Sequence, residues 1–102
     1  MEHSTVSASD FAAIDGMENW TYDDGAISAE YTASSFPAAA DLAKQVADAA
    51  EAANHHPDLA IRHPGRLEVV LTTHSAGGLT ALDVELARQV DALASAADAT
   101  PR

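Results

Sequence analysis

Hydrophobic and polar positions along the chain change period several times, and each change marks an element. Phe11 and Ile14 form a short apolar pair behind Ser7 and Ser9, either of which can cap a helix, and Gly16 stops it. Residues 19–22 read as a strand with Trp20 and Tyr22 on one face. Asp23-Asp24-Gly25 then carries the Asp-Gly signal of a tight hairpin. In the returning strand, 26–33, Ile27, Ala29, Tyr31 and Ala33 alternate with more polar residues, the period of two expected of a half-buried strand.

The period then lengthens. Ser34 or Ser35 caps a second helix, with Pro37 in the first turn, where a missing N–H costs nothing. Ala39, Leu42, Val46, Ala49 and Ala53 recur at helical spacing, and Pro57 forces the chain out of the helix after Asn54. Residues 59–63 and 67–73 return to strand, the second with Leu67, Val69 and Leu71 alternating, joined by the loop Pro64-Gly65-Arg66. Gly77-Gly78 breaks the chain before a last helix. Thr80 caps it, Asp83 sits at the capping-box position, and Leu82, Leu86, Val90 and Leu93 form its buried stripe.

The order α-β-β-α-β-β-α predicts an α+β domain: a four-stranded antiparallel sheet with three helices on one face. At 102 residues the chain, 1–102, is read as one domain. Its ends, 1–6 and 96–102, are small and polar and are read as frayed.

Composition narrows the functions open to such a domain. Sixteen acidic residues against five Lys and Arg give a net charge of −11, which leaves no basic face for direct nucleic-acid binding. The absence of cysteine removes disulfides, thiolate catalysis and Cys-based zinc sites. No apolar run approaches the ~20 residues of a membrane span, and no signal peptide is visible, so a soluble cytoplasmic protein without membrane contact is expected. Half of the apolar 47% is alanine, which yields little burial per residue and points to oligomerisation as a further source of stability.

Candidate chemistry lies in three of the five histidines. His55 and His56 leave the C-terminus of the second helix, and His74 leaves the last strand just before Ser75-Ala76-Gly77-Gly78. Imidazole exchanges protons near neutral pH without special tuning. Two plainer readings stand beside proton transfer. A histidine at a helix C-terminus interacts well with the dipole and the free carbonyls, and one at a strand end is often merely solvated. Glu51 and His55, four apart, admit metal ligation, although no further ligand pair has a familiar spacing. Spacing alone gives the plain readings at least the weight of proton transfer, and metal the least.

The residues at these positions, Glu51-Ala52-Ala53-Asn54-His55-His56-Pro57, then Thr72-Thr73-His74, then Gly77-Gly78-Leu79-Thr80 and Asp83, resemble the signature of the pterin-4a-carbinolamine dehydratases. The resemblance combines residue types with spacing over some thirty positions and extends more weakly upstream to Phe36, the strand around Ile27 and Tyr31, and Trp20. It implies the same α-β-β-α-β-β-α fold and dehydration of 4a-hydroxytetrahydrobiopterin to quinonoid dihydropterin, in tetrahydropterin recycling, without cofactor or metal. It further implies catalysis by His55, His56 and His74, with His55 and His74 as the acid/base pair and His56 chiefly positioning the pterin. Asn54, Thr72, Thr73 and Ser75 become substrate-binding residues, and Glu51 and Asp83 supporting ones; a solvated helix residue and a helix cap are their ordinary readings. Members pair into homodimers or homotetramers. Some relatives of this fold instead act as non-catalytic binding proteins, as dimerisation cofactors of a transcription factor or as Rubisco assembly factors, and these need not keep all three histidines. Two departures stand out: His63 occupies a position usually held by Tyr, Trp or Phe, as does Leu59 in many members, and the loop after His63 is one residue longer than usual.

Overall fold

In the computed structural model, which describes residues 4–102, the chain runs α1 (Ala8–Ala12), β1 (Thr21–Asp23), β2 (Ala26–Thr32), α2 (Phe36–Ala53), β3 (Asp58–Arg62), β4 (Arg66–Leu71), α3 (Ala81–Ala96) and β5 (Thr100–Pro101). The strands form one antiparallel sheet of order β1-β2-β4-β3, with β5 also paired to β2. Central β2 and β4 face each other from Ile27↔Leu71 to Thr32↔Arg66. Their alternation sends Ile27, Ala29, Tyr31, Leu67, Val69 and Leu71 into the core, because successive side chains of a strand point to opposite faces. Ser28, Glu30, Arg66 and Glu68 alternate with these and are half-buried.

The sheet has five strands rather than the four expected. The expected frayed tail from residue 96 turns at Asp98, which has a φ of +58°, and buries Ala99. Thr100 then pairs with Thr32 and Pro101 with Tyr31. Arg102 closes the contact, its N–H donating to the Glu30 carbonyl at 2.8 Å and its guanidinium to Glu30 Oε1 at 2.7 Å. Two residues carry no readable alternation, and a proline is tolerated because this strand lies at an edge. At the other end, the residues read as frayed divide: 1–3, including His3, lie outside the described residues, while the Val6 N–H donates to the Leu79 carbonyl at 2.7 Å.

Both long helices begin where the sequence places them. Ser35 caps α2, its Oγ accepting from the Ala38 N–H, and Thr80 caps α3 with Asp83 completing the capping box. The buried stripe of α2 is Ala39, Leu42, Ala43, Val46 and Ala50, so Ala49 is only half-buried and Ala53 is exposed, unlike the stripe expected. A 3.6-residue period continues from Val46 to Ala50. The last turn is solvated, which carries Asn54 and the histidines behind it to the rim. In α3 the deeply buried positions are Asp83, Val84, Leu86, Ala87, Val90 and Ala94, flanked by half-buried Leu82 and Leu93. Phe11 of α1 closes the core against Tyr22, with ring centroids 5.9 Å apart. Among the described residues no helix is long and apolar enough to cross a membrane.

One polar node ties the N-terminal segment to this core. Asp91 on α3 accepts hydrogen bonds at Oδ1 from Asn19 Nδ2 (3.3 Å), Trp20 Nε1 (3.1 Å) and the Tyr31 hydroxyl. Burial first, then the hydrogen bond and charge of Asp91, push the Tyr31 phenol far above its ordinary value, so it remains a neutral donor. In the unfolded chain a phenol ionises near pH ~10. The folded state holds a proton there that the unfolded state releases, so this contribution is complete below about pH 10 and is lost as pH rises further. Tyr31→Phe is therefore expected to cost about 1.5–3 kcal/mol at neutral pH and to show a smaller fall in stability than the parent between neutral and alkaline pH. Urea unfolding at the two pH values checks this, and equal falls would contradict it.

Candidate active site

Three element ends meet around one carboxylate. The first is the exit of α2. Asn54 stops the helix in the left-handed region, with a φ of +51° and ψ of +41°, a conformation that asparagine tolerates better than most residues. The His55 N–H returns to the Ala50 carbonyl at 3.0 Å, and Pro57 commits the chain to β3. The two histidines consequently diverge. His55 turns inward, its side chain 11% exposed, and its Nε2 lies 2.5 Å from Asp83 Oδ1. His56 turns outward, and its Nε2 lies 2.7 Å from Glu51 Oε1 on the last turn of α2.

The second end is the exit of β4. The Thr72 hydroxyl donates to the Gly25 carbonyl at 2.8 Å, tying this exit to the tip of the β1–β2 hairpin. Thr73 bridges to Gly78, and between them His74–Ala76 make a 3₁₀ turn ending at Gly77. Gly25 has a φ of +81°, and a Cβ there would lie 3.3 Å from Gly78 Cα, so glycine lets the hairpin tip fit against this loop without strain. His74 and Ser75 are exposed on the turn.

The third end is the start of α3. Asp83 is fully buried. Its Oδ2 accepts from the Thr80 N–H at 2.9 Å and from the Thr73 hydroxyl at 2.7 Å, while Oδ1 faces His55. A carboxylate only accepts, so His55 carries a proton on Nε2 toward Asp83, which leaves Nδ1 as the ring's other nitrogen. The same geometry makes His55 a carboxylate-oriented imidazole, the arrangement that fixes a ring's tautomer and aims its free nitrogen.

The structure thus draws His55, Asp83, Thr73 and Thr80 into one network, with His74 directly after Thr73, two hydrogen bonds from the His55 ring. Glu51 supports His56 rather than His55. Thr72 and Thr73, expected to contact a ligand, spend their hydroxyls inside the protein. Asn54 is exposed at the cap, and His63 lies exposed in the β3–β4 turn, beyond the end of β3. The participation of Thr80 and of the Gly25 carbonyl was not foreseen: both act across loops, where no periodicity betrays them. Among the described residues no group of three or more His, Asp and Glu side chains is placed to hold a metal ion. A groove of about 240 Å³ lined by Phe11, Ile14, Asp15 and Met17 shares no residue with the site.

Comparison with known proteins gives a consistent result. A family model described as "Pterin 4 alpha carbinolamine dehydratase" matches residues 4–93. A protein of Nocardia farcinica, named "Putative pterin-4-alpha-carbinolamine dehydratase", is 50% identical over 82 residues, covering 80% of this chain and 85% of its own. One of the same name from Herpetosiphon aurantiacus is 40% identical over 85 residues, covering 83% and 88%. Among solved structures, a "transcriptional coactivator/pterin dehydratase" from Brucella melitensis superposes with a TM-score of 0.79 at 31% identity, over 89% of this chain and 99% of that one.

Proposed function

Because this chain belongs to the pterin-4a-carbinolamine dehydratase family, we propose that it removes water from 4a-hydroxytetrahydrobiopterin to give quinonoid dihydropterin, as a hydro-lyase in tetrahydropterin recycling. The observation that carries this reading is the inward-turned His55 on buried Asp83, one residue away from His56 and linked through Thr73 to His74.

The reaction needs two proton transfers. The leaving hydroxyl at C4a takes a proton and departs as water, while the neighbouring ring nitrogen gives one up as the new double bond forms. Two imidazoles at opposite edges of a flat ring accomplish both, each contributing roughly 10²–10⁴-fold. His55 exchanges its proton at Nδ1, with Asp83 holding the ring. His74, free on its turn, is the other member of the pair. His56, steadied by Glu51, positions the pterin, and Asn54 and Ser75 border the same rim. Thr72 and Thr73 contribute through their backbone and by fixing the loop. No step is routed through a metal or cofactor.

Assembly and location belong to the same reading. The outer edge of β3 is open, Ile61 and Phe36 are exposed apolar side chains, and open edges are usually paired or covered. The open edge supports a homodimer or homotetramer, and a cytoplasmic location is part of the same proposal.

A direct assay tests the function. Purified protein supplied with enzymatically generated carbinolamine is expected to accelerate dihydropterin formation, with turnover unchanged by EDTA. No acceleration over the spontaneous reaction would overturn the dehydratase reading and leave a non-catalytic binding protein of the same fold. Loss of turnover in EDTA would overturn the imidazole mechanism.

A further inference from the structure

Building on the dehydratase reading, we propose that Thr80 is a positioning residue for His55, acting through Thr73 and Asp83 in addition to capping α3. The direction of each hydrogen bond follows from the groups themselves. Thr73 Oγ1 lies 2.7 Å from Asp83 Oδ2 and 2.8 Å from Thr80 Oγ1. Asp83 accepts only, so the single Thr73 O–H points to it. The Thr73 oxygen is then an acceptor toward Thr80, whose single O–H points to Thr73. Thr80 Oγ1 in turn accepts from the Leu82 N–H at 3.2 Å. Donation therefore runs from the Leu82 amide through two hydroxyls to Asp83 Oδ2, while the His55 ring donates to the same carboxylate at Oδ1.

Burial gives this chain its leverage. Thr80 and Asp83 are fully buried and Thr73 is 5% exposed, so water has little access to replace a missing member. Asp83 Oδ2 is held by two donors, the Thr80 N–H and the Thr73 hydroxyl. Together they fix the carboxylate plane and so aim Oδ1 at Nε2. Removing the Thr80 hydroxyl frees the Thr73 rotor and weakens it as a donor, because linked hydrogen bonds polarise one another. The helix cap and the aim of the histidine thus share one side chain.

The test compares Thr80→Val, Thr80→Ser and Thr73→Val with Ser35→Ala, which removes the cap of α2 away from the site. The first readout is the His55 ring by ¹H–¹⁵N NMR. The parent is expected to show a protected, downfield Nε2 proton, retained in Thr80→Ser and Ser35→Ala and broadened or lost in Thr80→Val and Thr73→Val. The second is turnover: kcat falls about tenfold in Thr80→Val, with KM little changed, and Thr80→Ser recovers it. If losing the cap unfolds Thr80→Val, Thr73→Val carries the test, since it breaks the same chain and leaves the cap intact. An unmoved Nε2 proton in a folded chain-breaking variant overturns the proposal, as does a loss of kcat that Thr80→Ser fails to restore. The NMR readout stands without catalysis, so an inactive parent would sink the dehydratase reading and still leave this one decided.

Discussion

His55→Ala and His74→Ala are each expected to lower dehydratase turnover by about two orders of magnitude or more, and the double variant to fall to the spontaneous rate. The two substitutions should differ in stability. His74 is exposed on its turn, so its removal should change stability by no more than about 0.5 kcal/mol. His55→Ala strips Asp83 Oδ1 of its only donor among the described residues, in a buried setting, a loss of about 1–3 kcal/mol that should appear as a lower Tm with the fold retained. His56→Ala should raise KM more than it lowers kcat, because positioning is felt in substrate binding. His63→Ala, at the turn position where the resemblance implies an aromatic, should show a moderate loss if this histidine has taken over that contact. Turnover measured beside circular-dichroism melts separates the cases, and activity surviving in the double variant would refute the assignment of the pair.

Much of the architecture was legible because local signals and tertiary packing agree. The Asp24-Gly25 turn, the Ser35 and Thr80 caps, and the alternation of Leu67, Val69 and Leu71 are each set within a few residues. What escaped was set by distance. β5 forms because Ala99 finds a place in the core and Arg102 reaches Glu30, seventy-two residues away, and no short window of Thr100-Pro101-Arg102 encodes that. The same division runs through the site. His55, His56 and His74 stand out as residue types at element ends, and the resemblance marks Asp83 as a supporting acid, but its pairing with His55 is visible only in the structure. That His55 turns in while His56 turns out is decided by the left-handed cap at Asn54 together with Pro57. That Thr73 serves Asp83 rather than a ligand is decided by its burial beside Thr80.

Asp83→Asn is expected to remove turnover by about 10²–10⁴-fold while leaving the fold in place. The amide has the shape of the carboxylate but one donor end. Two donors, the Thr80 N–H and the Thr73 hydroxyl, already converge on the Oδ2 position, so the amide oxygen settles there and the NH₂ faces His55. An NH₂ group only donates, and the ring must then offer Nε2 as its lone pair and carry its proton on Nδ1. That reverses the nitrogen assigned to catalysis. As a base, the ring has lost its acceptor at Nδ1. As an acid, it is left neutral, because an imidazolium would set two donors against each other, and a neutral imidazole N–H is too weak an acid to help. Asp83→Ala should behave differently, leaving His55, Thr73 and the Thr80 amide without their partner and costing about 3–5 kcal/mol, so that lost activity and lost stability cannot be told apart. The amide variant separates them. The ¹⁵N shifts of the His55 ring are expected to exchange their assignments in Asp83→Asn, with melting changed little and turnover nearly abolished; turnover within a few-fold of the parent would mean that Asp83 serves α3 as a cap alone.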